Sequence, residues 1–226
     1  MMTSEPTVTF LSTIGGKTLL LCAVEHEAIS PVQLPRLEPA EERTRSLTPH
    51  SLFRTRSISV PNPTGCEMTL KIRDAVRADA ATILRFIREL AVYEKAEHEV
   101  EATIETLTES LFGEGSVTHA LICEKDGEAI GSAIWFFNYS TWQARKGVYL
   151  EDLYVTPTAR GLGAGKALLR RLAEIALENN CGRFEWSVLD WNEPTIKVYE
   201  AIGAQPMKEW VRYRLSGEKL SAFAAG

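Results

Sequence analysis

The run Arg160-Gly161-Leu162-Gly163-Ala164-Gly165 separates a strand-like stretch from an amphipathic helix, and it constrains the chain more than any other feature. The residues before it, Val148-Tyr149-Leu150-Glu151-Asp152-Leu153-Tyr154-Val155, are rich in β-branched and aromatic side chains and predict a strand. Pro157 and the glycines end it. From Lys166 to Asn179, Leu168, Leu169, Leu172, Ile175 and Ala176 fall at helical spacing. A glycine-rich turn that opens a helix leaves several backbone N–H groups unpaired, and the helix dipole adds positive potential at the same point. Such a turn suits a phosphate or pyrophosphate, and glycine keeps the backbone open to close approach. The competing reading is an ordinary tight turn. Two other phosphate loops do not fit. Gly165-Lys166 is followed by Ala167 rather than Ser or Thr, and Gly161, Gly163 and Gly165 alternate, which breaks the dinucleotide spacing.

The 226 residues suffice for one domain plus an extension, and 45% hydrophobic content supports a packed core. A net charge of −5 argues against a nucleic-acid partner bound by broad phosphate neutralisation, and it suits a cationic small substrate. Cys22, Cys66, Cys123 and Cys181 have neither metal nor redox spacing, so free thiols in a reducing, cytoplasmic compartment are expected. The four histidines are dispersed, and no metal site is predicted. No stretch of about eighteen apolar residues suggests a membrane span.

The chain changes character near residue 67. Seven of its ten prolines precede Met68, and Ser30 to Gly65 has no sustained period. Residues 1–67 are therefore expected to be a poorly ordered extension, or an upstream reading of the gene foreign to the working protein. Within them, Thr7–Leu11 and Lys17–Val24 could form short strands. The apolar run ending at Val24 is too short, and its start too weakly basic, for a convincing secretory signal. Residues 68–226 form the expected catalytic domain. Leu70 and Ile72 start a strand, and Asp79 is a candidate N-cap for a helix through Ala91. A second helix covers roughly Glu101 to Leu111. His119–Glu124 and Ala129–Phe137 read as a hairpin about Asp126-Gly127. Phe184–Val188 is a strand, Pro194 to Ala201 a short helix ending at Gly203, and Trp210–Leu215 a closing strand. The predicted fold is a mixed α/β sheet with helices on both faces.

The element order and the pattern Arg-x-x-Gly-x-Gly over 160–165 resemble the GNAT acetyltransferase superfamily. Glu89-Leu90-Ala91-x-Tyr93-Glu94, Tyr149-Leu150-Glu151-Asp152, Trp191-Asn192-Glu193-Pro194 and Tyr199-x-x-x-Gly203-Ala204 are similar to its diamine (spermidine/spermine) N-acetyltransferase branch. The resemblance runs from about Met68 to about Leu215. It implies a mostly antiparallel sheet flanked by helices, acetyl-CoA as co-substrate and a homodimer.

The resemblance also implies site residues. Arg160, Gly161, Leu162, Gly163, Ala164, Gly165 and Lys166 would bind the pyrophosphate. Backbone groups of Leu153, Tyr154 and Val155 would pair with the pantetheine arm as with another strand. A backbone N–H near Leu153 would polarise the thioester carbonyl. Asn192 resembles the family's cofactor-arm contact, although it could equally cap the helix that follows. Tyr199 sits at the position of the general acid, where a phenol could protonate the departing thiolate; a core aromatic is the alternative. Tyr93 and Glu94 match the substrate-binding pair. Glu151 matches the carboxylate that binds the amine and accepts its proton, and Glu185 and Ser187 alternate on the next strand toward the same cleft. Adjacent strand residues face opposite ways, so Asp152 would point away from Glu151 and could be structural.

An amine with a pKa near about 10 is protonated at neutral pH, and an ammonium cannot attack a thioester. Carboxylates would both attract the cation and take its proton. The expected function is transfer of an acetyl group from acetyl-CoA to a primary amine of a polyamine or diamine, by direct attack in a ternary complex. The alternatives are a lysine-like amino acid such as thialysine as acceptor, a protein amine, or a coenzyme A-binding module without turnover.

Overall fold

A computed structural model describes residues 55–61 and 67–226 of the chain. The predicted strands Thr7–Leu11 and Lys17–Val24 lie outside these residues. Six strands form one sheet in the order β1-β2-β3-β4-β5-β6: β1 Arg56–Pro61, β2 Glu67–Asp74, β3 Thr118–Lys125, β4 Glu128–Ser140, β5 Arg145–Val155 and β6 Phe184–Trp186. Every neighbouring pair is antiparallel except β5–β6, which is parallel. Helices α1 (Ala80–Glu94), α2 (Ile104–Phe112), α3 (Ala164–Glu178), α4 (Glu193–Ala201) and α5 (Gly217–Ala225) complete the fold. The mixed, mostly antiparallel sheet is thus the predicted one. It also extends upstream of Met68, because β1 pairs along β2 from Arg56↔Ile72 to Pro61↔Glu67.

Both faces of the sheet are covered, so β3 reads as a continuous apolar run rather than an alternation. Leu121 and Cys123 point to one face, where Leu70, Ile72, Trp135, Val148 and Leu150 meet Leu168, Leu172 and Ile175 of α3. Ala120 and Ile122 point to the other, where Ile134 meets Ile83 and Leu84 of α1 and Leu107 and Leu111 of α2. Leu168, Leu172 and Ile175 are almost wholly buried. Each contributes about 1.5–3 kcal/mol relative to an exposed position.

Local chemistry sets the element ends. Asp126 (φ 53°) and Gly127 (φ 84°) make the predicted two-residue hairpin turn. Thr103 caps α2: its Oγ1 accepts from the Thr106 N–H at 3.2 Å, while the Thr103 N–H donates to Thr106 Oγ1 at 3.0 Å. Asp79 occupies the N-cap of α1, but its carboxylate does not cap the helix. It accepts the Val76 N–H at 2.7 Å and a two-pronged contact from Arg73 at 2.7 and 2.9 Å. Arg73, foremost among the causes, holds the Asp79 carboxyl below its ordinary range.

Two expectations need correction. The strand predicted over Phe184–Val188 stops at Trp186. Trp210–Leu215 is not a strand: no described strand lies beside it, and Trp210, Val211 and Tyr213 are exposed. Its alternation is a strand pattern without a pairing neighbour, and without ladder hydrogen bonds an alternating segment has nothing to hold it extended. Helix α5 follows it, in a stretch for which no element was predicted.

Candidate active site

Strand β5 carries the site because its two edges differ. On one side it pairs with β4 from Ser140↔Arg145 to Gly131↔Val155. On the other it pairs with β6 only at Val148↔Phe184, Tyr149↔Glu185 and Leu150↔Trp186. Beyond Leu150 the second edge is open. Backbone groups of Glu151, Leu153 and Val155 therefore border a cleft between diverging strands, where an extended ligand could add as a strand.

The β4–β5 register slips at Glu151: Trp135 faces Leu150, and Ile134 faces Asp152. This bulge breaks the alternation that would send the two carboxylates to opposite faces. Asp152 and Tyr154 are set toward α1. The Tyr154 ring lies 5.4 Å from that of Phe86, and its hydroxyl donates to Glu89 Oε2 at 2.6 Å. Burial, then the charges of Glu151 and Glu94, push the Asp152 carboxyl up to about 6. Glu151 itself is exposed. Desolvation raises the carboxyl of Glu94, at the end of α1, even though its side chain reaches the surface. The charges of Glu151 and Glu94 thus both bear on Asp152, the residue that the alternation rule sets apart. A pair of adjacent acids at a strand's centre was the available signal; the bulge that unites them was not legible.

The glycine loop follows β5 through a short 3-10 turn at Pro157–Ala159. Gly161 (φ 81°) and Gly163 (φ 82°) both take left-handed backbone conformations, which glycine adopts without penalty. Gly163 is the N-cap of α3 and offers no side chain to the helix's first N–H groups. A Cβ built on Gly161 would meet nothing within 4 Å, so the space over the loop is open. Exposed Arg160 and Lys166 flank it, while Ala164 is buried and Leu162 packs on the core. Open backbone donors, a helix N-terminus and two cations fit the pyrophosphate of coenzyme A. On the outer side of the loop an open groove of about 690 Å³ runs between Arg85, Glu89, Tyr154, Glu128 and Leu162.

Three elements converge at the end of α1. The Tyr93 hydroxyl donates to Asn192 Oδ1 at 3.2 Å. Its ring lies 5.8 Å from that of Trp191, and the Arg160 guanidinium carbon stands 5.2 Å from its centroid. Asn192 is buried and occupies the N-cap of α4, but its side chain does not cap that helix. Tyr199, on α4, is half-buried with its ring edge-on to Trp186 at 5.0 Å. Burial raises its phenol above the ordinary value, which keeps the proton on at neutral pH. Glu185 and Ser187 are engaged apart from the carboxylate group. Glu185 accepts from Asn138 Nδ2 at 2.9 Å and lies 2.7 Å from Arg183. The Ser187 hydroxyl shares a 2.9 Å hydrogen bond with the Tyr149 hydroxyl and accepts from Arg212 at 3.0 Å.

Among the described residues, no helix is long and apolar enough to cross a membrane, and no cluster of metal-ligating side chains is present.

Known proteins bear out the fold and the chemistry. The profile of the acetyltransferase (GNAT) family matches residues 83–204. The mouse thialysine N-epsilon-acetyltransferase is 40% identical over 165 residues, covering 68% of this chain and 96% of that protein. The human spermidine/spermine N(1)-acetyltransferase-like protein 1 is 34% identical over 160 residues, which are 66% of this chain and 23% of the human one. Among solved structures, an integron cassette protein from the mobile metagenome of V. cholerae superposes with a TM-score of 0.60 at 26% identity, covering 70% of this chain and 98% of its own. With an open strand edge, a glycine loop and these relatives in agreement, the chain belongs to the GNAT family and is an acetyl-CoA-dependent amine N-acetyltransferase.

Proposed function

We propose that the acceptor is a small polyamine or diamine, and that the carboxylate group formed by Glu94, Glu151 and Asp152 receives its ammonium. The observation that carries this reading is the Asp152 carboxyl at about 6, raised by burial and by two neighbouring acids. A site with this much uncompensated negative charge lowers its energy by taking up a cation. The Asp152 carboxyl, raised to about 6, is suited to accept a proton close to neutral pH, and Glu151 at the bulge shares the ammonium with it. Together they take the proton that the amine must lose before it attacks.

Acetyl-CoA supplies the activated acyl thioester. The loop from Arg160 to Lys166 holds its phosphates, and the open edge at Leu153 to Val155 orients the arm and polarises the carbonyl. Tyr199, kept protonated by burial, donates to the departing sulfur. Asn192 orients the same arm from the N-cap of α4.

A second reading, a lysine-like amino acid acceptor, is favoured by the 40% identity to the mouse thialysine enzyme over nearly its whole length. Thiol release from acetyl-CoA tests both, using the full chain with spermidine, spermine, putrescine, lysine, thialysine and a basic peptide. Fast release with the polyamines supports the first reading. Release confined to thialysine and lysine replaces it with the second.

The reading includes a homodimer in the cytoplasm, without nucleic-acid or membrane partners. Exposed Trp210, Val211, Tyr213 and Phe223 support self-association, because monomers rarely present so much apolar surface. Free Cys123 and Cys181 support a reducing compartment. The catalytic domain is taken to be residues 68–226 with β1 added at its edge, and residues 1–67 otherwise to be an extension. Light scattering of the full chain at several concentrations tests the dimer; a monomer throughout removes it.

A further inference from the structure

Arg160 belongs to the glycine loop, yet its guanidinium is spent elsewhere. It stands 5.2 Å from the centroid of Tyr93, and among the described residues its one other tie is a long 3.4 Å contact from Nε to the Val155 carbonyl. The same ring is held by Trp191 at 5.8 Å and by the hydroxyl's bond to Asn192. A cation from the protein therefore occupies an aromatic surface next in the chain to Glu94, one of the carboxylates to which the proposed function gives the ammonium of the substrate. Two cations repel and cannot share one aromatic face.

The competition for Arg160 is uneven. A cation–π contact at an exposed position is weak, and Arg160 is exposed. Hydrogen bonds from a guanidinium to phosphate are charge-assisted and often two-pronged, and they are considerably stronger. The N–H groups of Gly161, Gly163 and Gly165 lie on the same short loop as Arg160, so an anion bound there competes directly with Tyr93 for the guanidinium.

We propose that Arg160 is a positioning residue that couples the two ligand sites: with the loop empty it covers the face of Tyr93, and an anion on the loop draws it off and opens that face to an ammonium. The proposal rests on the reading that Tyr93 lines the amine site. Linkage makes the effect reciprocal, so the amine tightens anion binding by the same factor.

Calorimetric titration of spermidine and thialysine into the full chain tests it, with the loop empty, with pyrophosphate, and with saturating coenzyme A, which has no acetyl group to transfer. Coenzyme A should raise amine affinity about two- to fivefold, the size of an exposed cation–π contact. Arg160→Gln should bind the amine tighter by the same factor with the loop empty and show no coupling. Wild-type affinity that ignores coenzyme A overturns the proposal. Coupling that survives in Arg160→Gln also overturns it, since it would then be plain attraction between phosphate and ammonium. Tyr93→Leu separates the two ideas. If it weakens amine binding while the wild type shows no coupling, only the coupling fails; if it leaves amine binding unchanged, the placement of the amine fails and the coupling with it.

Discussion

The two edges of β5 are built on opposite terms. Toward β4 the strand is paired along its length, with α3 closing the core behind it. Toward β6 three residues are paired, and in parallel, the less stable of the two ladder types. The first edge supplies rigidity. The second leaves backbone donors and acceptors open within a rigid frame, and there a ligand can do what a neighbouring strand otherwise would. A binding cleft here is an unfinished sheet rather than a hollow in a finished one.

If that division holds, substitutions at the open edge should cost chemistry and those at the closed edge should cost stability. The largest effect is expected at Tyr199. Tyr199→Phe should lower turnover about a hundredfold or more, in the range typical of a lost general acid, while coenzyme A binding by calorimetry and the melting temperature stay as they were. Equal turnover across pH would remove Tyr199 from the reaction. On the closed side, Leu168→Ala should lower unfolding free energy by about 2–5 kcal/mol in urea titrations without altering turnover per folded molecule. A turnover loss beyond the folded fraction would show that the two edges are not separable.

Asp152→Asn should split the effects and move them in opposite directions. The Asp152 carboxyl rises from its ordinary 3.8 to about 6, so between those values the native state holds more protons than the unfolded one. Stability then falls as pH rises through that window, by about 3 kcal/mol at most, since a tenfold difference in proton affinity between the two states is worth about 1.4 kcal/mol. The amide lacks this loss. The variant should melt higher than wild type at pH 8, match it near pH 4, and turn over far more slowly. A variant no more stable than wild type at pH 8 would mean that Asp152 is not held against its charge. The smallest effect is expected at Gly161→Ala. A side chain at φ 81° costs about 1–2 kcal/mol, and because the added Cβ meets no protein atom, the rest of its effect should appear as weaker coenzyme A binding.

The closed half was the more legible half. Periodicity alone locates α1, α3 and the β3–β4 hairpin, because their residues are buried by neighbours close in sequence or by a strict repeat. The glycine loop is legible because it follows from backbone chemistry. Three things were not. The bulge at Glu151 depends on β4, and no local signal marks which residue is extra. β1 lies in a stretch of prolines and serines and owes its strand to the exposed edge of β2; its Arg56 also pairs with Glu174 of α3. Trp210–Leu215 has the alternation of a strand but no neighbour, since pattern records a preference and pairing requires a partner. At the proposed site, the roles of Tyr93, Asn192, Glu151 and Tyr199 come from resemblance rather than from any local pattern. The surroundings of Asp152 were not legible, because alternation is a rule of regular strands and the register slips at its neighbour.

The short parallel ladder between β5 and β6 has a consequence in time as well as space. The two strands are joined through the whole of α3, so their three paired residues close a long loop for little ladder energy. Amide protons of Phe184 to Trp186 should therefore exchange with solvent far sooner than those of β3 and β4, through local opening rather than global unfolding. A bound arm lying along β5 would lend this corner the pairing it lacks, and exchange there would slow in step with occupancy. The weakest seam in the sheet would then report, amide by amide, how much of the enzyme is loaded.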